Sequence, residues 1–92
     1  MRTFDEVVKE EYDILLTNGV SKETLDKGIE IAQKLRGYEG NRKIMFVSAV
    51  CVAAKEKGDI LHQSDLYKLT GFSHHAIRKY YRILSDIELR GK

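Results

Sequence analysis

The sequence predicts an all-α fold: a bundle of five helices with a buried third helix at its centre and a helix-turn-helix at its C-terminal end. Three observations carry this expectation. Proline is absent from the 92 residues, where average usage of ~5% would place roughly four or five. Apolar residues recur at helical spacing, and no stretch alternates apolar and polar residues long enough to argue for a strand. Finally, the segment Ile44 to Ala54, IMFVSAVCVAA, is apolar around nearly its whole circumference, as a helix surrounded by others must be.

The first helix is expected over Thr3 to Leu16, with Phe4, Val8, Tyr12 and Leu15 on one stripe and Asn18-Gly19 as its stop. Ser21 is placed to cap the second, in which Thr24 to Arg36 carries Leu25, Ile29, Ala32 and Leu35 inward. Gly28 falls inside that helix, where glycine costs about 1 kcal/mol relative to alanine, so its presence argues for close approach of another helix. Asn41 is the expected cap of the third helix, the hub. Gly58 ends it after Lys55 and Lys57, charges that suit a helix C-terminus. The fourth helix is expected at about His62 to Thr70 with Leu66 and Leu69 inward, stopped by Gly71. Ser73 is then placed to cap a fifth helix reaching about Leu89. The short glycine-containing corner between the last two matches a helix-turn-helix, about residues 62–90.

The length bounds the chain, residues 1–92, to one domain with one core, too short for a multidomain enzyme. Apolar residues make up 42% and charged residues 33%, the balance of a globular chain. The longest apolar run, interrupted by Ser48, falls well short of the ~20 residues a membrane span requires. The N-terminus MRTFDEVVKEEYD has acids where a signal peptide has a basic start, so an intracellular, cytoplasmic protein is expected. Cys51 is the only cysteine, which excludes an intramolecular disulfide and a cysteine-rich zinc site. The net charge of +2 is unevenly spread. Residues 1–40 hold six Lys/Arg against nine Asp/Glu, and residues 41–92 hold ten against five. That asymmetry directs a polyanionic partner to the C-terminal half.

The fifth helix sharpens the point. At 100° per residue, His74, Arg78, Arg82, His75 and Lys79 share an arc of about 140°, while Ile77, Tyr80, Tyr81, Leu84 and Ile87 fall opposite. Acids are missing from Gly71 to Ser85, whereas a merely solvated helix mixes both signs for i,i+4 support. The cationic arc lies in the first turns of the second helix of the pair, the part that enters the DNA major groove in helix-turn-helix proteins. Arginine there can fork onto guanine edges and lysine can meet phosphates. The candidate DNA-binding residues are therefore Ser73, His74, His75, Arg78, Lys79 and Arg82, with Arg42, Lys43 and Lys68 for flanking phosphate contacts. Tyr80 and Tyr81 are assigned to the core by their angles, and Phe72 to the corner.

The stretch from Ser21 to Gly91 resembles a cyclin-like repeat of archaeal transcription factor B and its eukaryotic counterpart, transcription factor IIB. The resemblance rests on SKETLDKGIEIAQKL as second helix, IMFVSAVCVAAKEKG as buried third, and SDLYKLTGFSHHAIRKYYRIL as closing helix pair. The last segment is the most specific, with its Gly-hydrophobic-Ser corner followed by Ile77, Tyr81 and Leu84. The resemblance implies a five-helix cyclin-like bundle whose last helix pair contacts double-stranded promoter DNA, a role that falls by position on His74, His75, Arg78, Lys79 and Arg82, with Ser73 as cap. It also implies an archaeal or archaeal-virus setting, a nucleoid-associated protein, and the TATA-binding protein or other transcription machinery as partners. Departures accompany it: EGNR replaces the family's usual Gly-Arg-Ser-Pro, His62 stands where a threonine cap is common, and Cys51 replaces a frequent tyrosine. The zinc ribbon and second repeat of the general factor are missing from this sequence, which leaves three expectations for a single repeat: a small regulator, a homodimer that rebuilds the two-repeat arrangement, or a fragment of a longer protein.

Two other readings compete with a transcription-related DNA-binding module. Cyclin folds also bind proteins through grooves between helices, and the acidic segment FDEVVKEEYD offers a docking element for such a module without DNA binding. An enzyme is disfavoured. His74 and His75 lie ~100° apart and do not chelate one ion as an i,i+4 pair would, so neither metal nor cofactor is expected. Cys51 is expected inside the core and inert, and no glycine pattern forms a phosphate-cradling loop.

Overall fold

The computed structural model describes residues 4–35, 40–58 and 63–90, with side chains described from Glu6 in the first stretch and from Asp65 in the last. Among these residues all regular structure is helical: α1 (Phe4–Val7), α2 (Lys9–Thr17), α3 (Lys22–Ala32), a 3-10 turn (Gln33–Leu35), α4 (Arg42–Lys57), α5 (Gln63–Thr70) and α6 (His74–Arg90). Counting α1 and α2 as one interrupted helix gives the five expected. Thr3, Phe4's side chain, Arg36 and His62, which entered the expected boundaries and stripes, lie outside what is described.

Two boundaries differ from expectation. The first helix is broken at Val8, whose φ −100 and ψ 7 depart from helical values. Val8 is fully buried, and seating this β-branched residue takes precedence over an unbroken first helix. The second helix tightens into the 3-10 turn over its last residues, a usual way to close a helix end.

Capping follows the local chemistry of the sequence. Ser21 Oγ accepts from the Thr24 backbone N–H at 3.2 Å, and Asn41 Oδ1 accepts from that of Lys43 at 2.9 Å. Gly58 closes α4 in the left-handed region at φ 78.

The hub is α4. Every residue from Met45 to Ala54 is buried, because two halves of the core meet on opposite sides of this helix. Phe46, Val47, Val50 and Cys51 pack with Val8, Leu15, Leu25, Leu66 and Ile77. Met45, Ala49, Val52 and Ala53 pack with Ile31, Ala32, Leu35, Tyr80 and Leu84. An apolar circumference is the sequence signature of that double burial. Helices α3 and α6 are its main neighbours. A Cβ at Gly28 would lie 2.7 Å from Val50 Cγ2, so α3 and α4 approach as closely as the glycine within α3 suggests. Gly40, at φ +147, lies before α4 where a Cβ would overlap the Tyr80 hydroxyl. No helix of the described residues is long and apolar enough to cross a membrane.

Candidate nucleic-acid interface

The connection Gly71–Ser73 turns the chain from α5 into α6. Gly71, at φ +77, takes the left-handed conformation that a side chain would resist, and its N–H donates to the Tyr67 carbonyl at 2.8 Å. The Thr70 hydroxyl donates back to the Leu66 carbonyl at 2.6 Å. Phe72, half-buried, packs against the first half of the core, which fixes the corner to the body as expected. Ser73 Oγ accepts from the Ala76 N–H at 3.2 Å. The predicted cap is thus in place, and its acceptor is turned to the start of α6.

Burial then fixes the rotation of α6. Ile77 and Leu84 are fully buried and Tyr80 nearly so, each aliphatic residue contributing roughly 1.5–3 kcal/mol by its removal from water. The buried Ser48 hydroxyl on α4 lies 2.8 Å from the Ile44 carbonyl and 3.0 Å from that of Ile77, so hub and α6 also share a polar contact. With that side inward, His74, His75, Arg78, Lys79 and Arg82 are all exposed.

Within the arc, the residues divide. His74, Arg78 and Arg82 line one open concavity together with Tyr81. Lys79 leans elsewhere, its ammonium 5.7 Å from the Tyr80 ring centroid, a cation–π distance. The His74 imidazole meets the Tyr67 ring edge-on, centroids 6.5 Å apart, so the end of α5 and the start of α6 touch through aromatic side chains.

Charge pairing distinguishes these cations from most of the lysines elsewhere, although Lys9 and Lys55 also reach no carboxylate among the described residues. Lys22, Lys27, Lys34, Lys43, Lys57 and Arg90 each reach a carboxylate. Among the described residues, Arg78, Lys79 and Arg82 reach none. The flanking candidates fare differently from one another. Arg42 and Lys68 are exposed and make no ion pair with a described residue. Lys43 is half-buried, 3.9 Å from Glu10 and 3.8 Å from Glu11, so its charge is directed toward α2. Glu11 is 5% exposed and its Oε1 has no hydrogen-bond partner among the described residues, so of these residues Lys43 supplies the charge that compensates the buried carboxylate.

Two residues of this surface escape helical-wheel reasoning. Tyr67 is 48% exposed beside His74. Its signal in the sequence is a lone aromatic off the Leu66–Leu69 stripe. Tyr81 touches both halves of the core and also borders the concavity. Its angle, at the edge of the apolar stripe nearest His74, is the only hint of that double position.

Elsewhere, Cys51 is 4% exposed and burial pushes its thiol up to about 12, far from the thiolate a nucleophile needs. Among the described residues no group of three or more His, Cys, Asp and Glu is placed to hold a metal ion. Comparison with protein-family models, with characterised proteins and with solved structures finds no match to this chain.

Proposed function

We propose that this chain is a DNA-binding domain with a role in transcription, in which the first turns of α6 enter the major groove and surrounding cations contact phosphates. One observation carries the reading: the only cations between Gly71 and Ser85 share one exposed face of a firmly seated helix, and Arg78, Lys79 and Arg82 have no carboxylate partner among the described residues. Desolvating an arginine already held by a carboxylate would cost most of what a phosphate returns. These are free to take one.

The resemblance to a transcription factor B core repeat supports the same reading, with a cyclin-like arrangement of the helices and transcription machinery, the TATA-binding protein included, as protein partners. A homodimer would supply two reading helices. Fluorescence anisotropy of a labelled generic duplex at several salt concentrations tests the proposal. Three to five phosphate contacts correspond to a slope of log affinity against log salt of about −2.7 to −4.5. Arg78→Glu is expected to weaken binding at least ~10-fold with the helical circular-dichroism signal unchanged. No binding at low salt, or binding indifferent to Arg78→Glu, would reject this face.

A second reading, a protein-interaction module without DNA binding, draws on Leu89, 75% exposed near the end of α6. It predicts a partner whose capture is lost in Leu89→Asp and kept in Arg78→Glu.

A further inference from the structure

Tyr81 is the residue at the interface that the DNA reading leaves without a task. Its ring is half-buried against both halves of the core, yet it lines the concavity with His74, Arg78 and Arg82. The described lining thus consists of two guanidiniums, an imidazole and a phenol, each able to donate a hydrogen bond, with no carboxylate among them. Arg78 and Arg82 are four residues apart, so two like charges face each other along one ridge, which disfavours the helix. No described residue relieves that repulsion by an ion pair. At the far end, the edge contact with Tyr67 steadies His74 on the rim. An oxyanion between the guanidiniums would remove the repulsion and meet several donors at once.

We infer that this concavity seats one phosphate group, with Arg78 and Arg82 as its charged donors and the Tyr81 hydroxyl as a neutral donor. The assignment of that phosphate to a nucleic-acid backbone rests on the DNA reading; the seat itself rests on the lining. The same oxyanion chemistry is offered by free phosphate or a mononucleotide, and the test separates these sources.

Thermal unfolding is followed in increasing inorganic phosphate and, in parallel, in sodium chloride of matched ionic strength. A ligand that binds only the folded state raises the midpoint as its site fills. The wild type is expected to gain a saturable rise in phosphate beyond that in chloride. Tyr81→Phe keeps the ring and removes only the hydroxyl, and is expected to weaken phosphate about tenfold, as loss of one hydrogen bond to a charged acceptor does. Arg82→Gln is expected to weaken it more than ~10-fold, since a full positive charge is lost together with its hydrogen bonds. Equal effects of phosphate and chloride would overturn the seat, and an unchanged phosphate affinity in Tyr81→Phe would overturn the role of the hydroxyl. The duplex titration supplies the second arm. There Tyr81→Phe is expected to lower affinity by a similar factor without changing the salt slope, because the phenol carries no charge. Should phosphate binding fall in Tyr81→Phe while duplex affinity holds, the seat stands and a small phosphorylated molecule is its ligand. Protection by phosphate with no duplex binding at all leaves the seat in place and removes only the DNA reading.

Discussion

A Cβ built on Gly28 would lie 2.7 Å from Val50 Cγ2 and 3.2 Å from the Val50 Cα, so part of the obstacle is backbone and the rest is a side chain stiff at χ1. Alanine gains about 1 kcal/mol over glycine inside a helix, but overpacking of this kind costs about 1–3 kcal/mol. Gly28→Ala is therefore expected to lower stability by about 1 kcal/mol net, read as a lower urea midpoint. A rise in the midpoint would mean that α3 and α4 part without cost. The same residue-scale logic separates Lys43 from Arg78. Both are cations early in a helix, and nothing within four residues of Lys43 announces that Glu11 of another helix has claimed its charge.

Among the elements, α6 owes its position to contacts at the corner, the cap and the hub. Its own residues supply the apolar stripe, and Ser73, just before it, supplies the cap. The hub adds a contact that the stripe cannot: the Ser48 hydroxyl sits between the carbonyls of Ile44 and Ile77, where one proton serves two acceptors. Ser48→Ala is expected to cost about 1 kcal/mol, typical of one buried hydrogen bond, seen as a lower thermal midpoint with unchanged helical content. No loss would show that the Ile77 carbonyl is satisfied within its own helix. In the sequence, Ser48 registers only as an interruption of an apolar run. Its meaning depends on a carbonyl 29 residues away.

For the whole molecule, the pairing of charges across distant segments decides the response to pH. Glu88 of α6 receives a hydrogen bond from Lys34 in the 3-10 turn, which with the charges of Lys34 and Lys27 holds its carboxyl below the ordinary value, against opposing desolvation. A carboxylate with a lowered folded pKa stabilises the fold fully above its unfolded pKa of about 4.3, and loses that contribution as pH falls through the folded value. Wild type is thus expected to exceed Glu88→Gln in urea stability at pH 7, with the gap closing on acidification below that range. A gap that persists once the carboxylate is fully protonated would assign the effect to packing. Arg78, Lys79 and Arg82 of α6 pair with no described carboxylate, unlike Arg90 at its end, and so remain open to an external anion.

Most helix positions, the caps and the inward side of each helix follow from residues within about one turn of each other and could be read along the chain. Ser21, Asn41 and Ser73 cap as their chemistry dictates, Gly58 and Gly71 stop helices, and the apolar circumference of α4 announces a hub. The break at Val8 was not legible, because the stripe predicts the burial of this residue but not the local departure of its φ and ψ from helical values. Nor were the withdrawal of Lys43, the exposure of Tyr67 beside His74 or the shared position of Tyr81. Those depend on which side chains arrive from distant segments, and only the tertiary structure brings such segments within the few ångströms over which charge pairs and hydrogen bonds act.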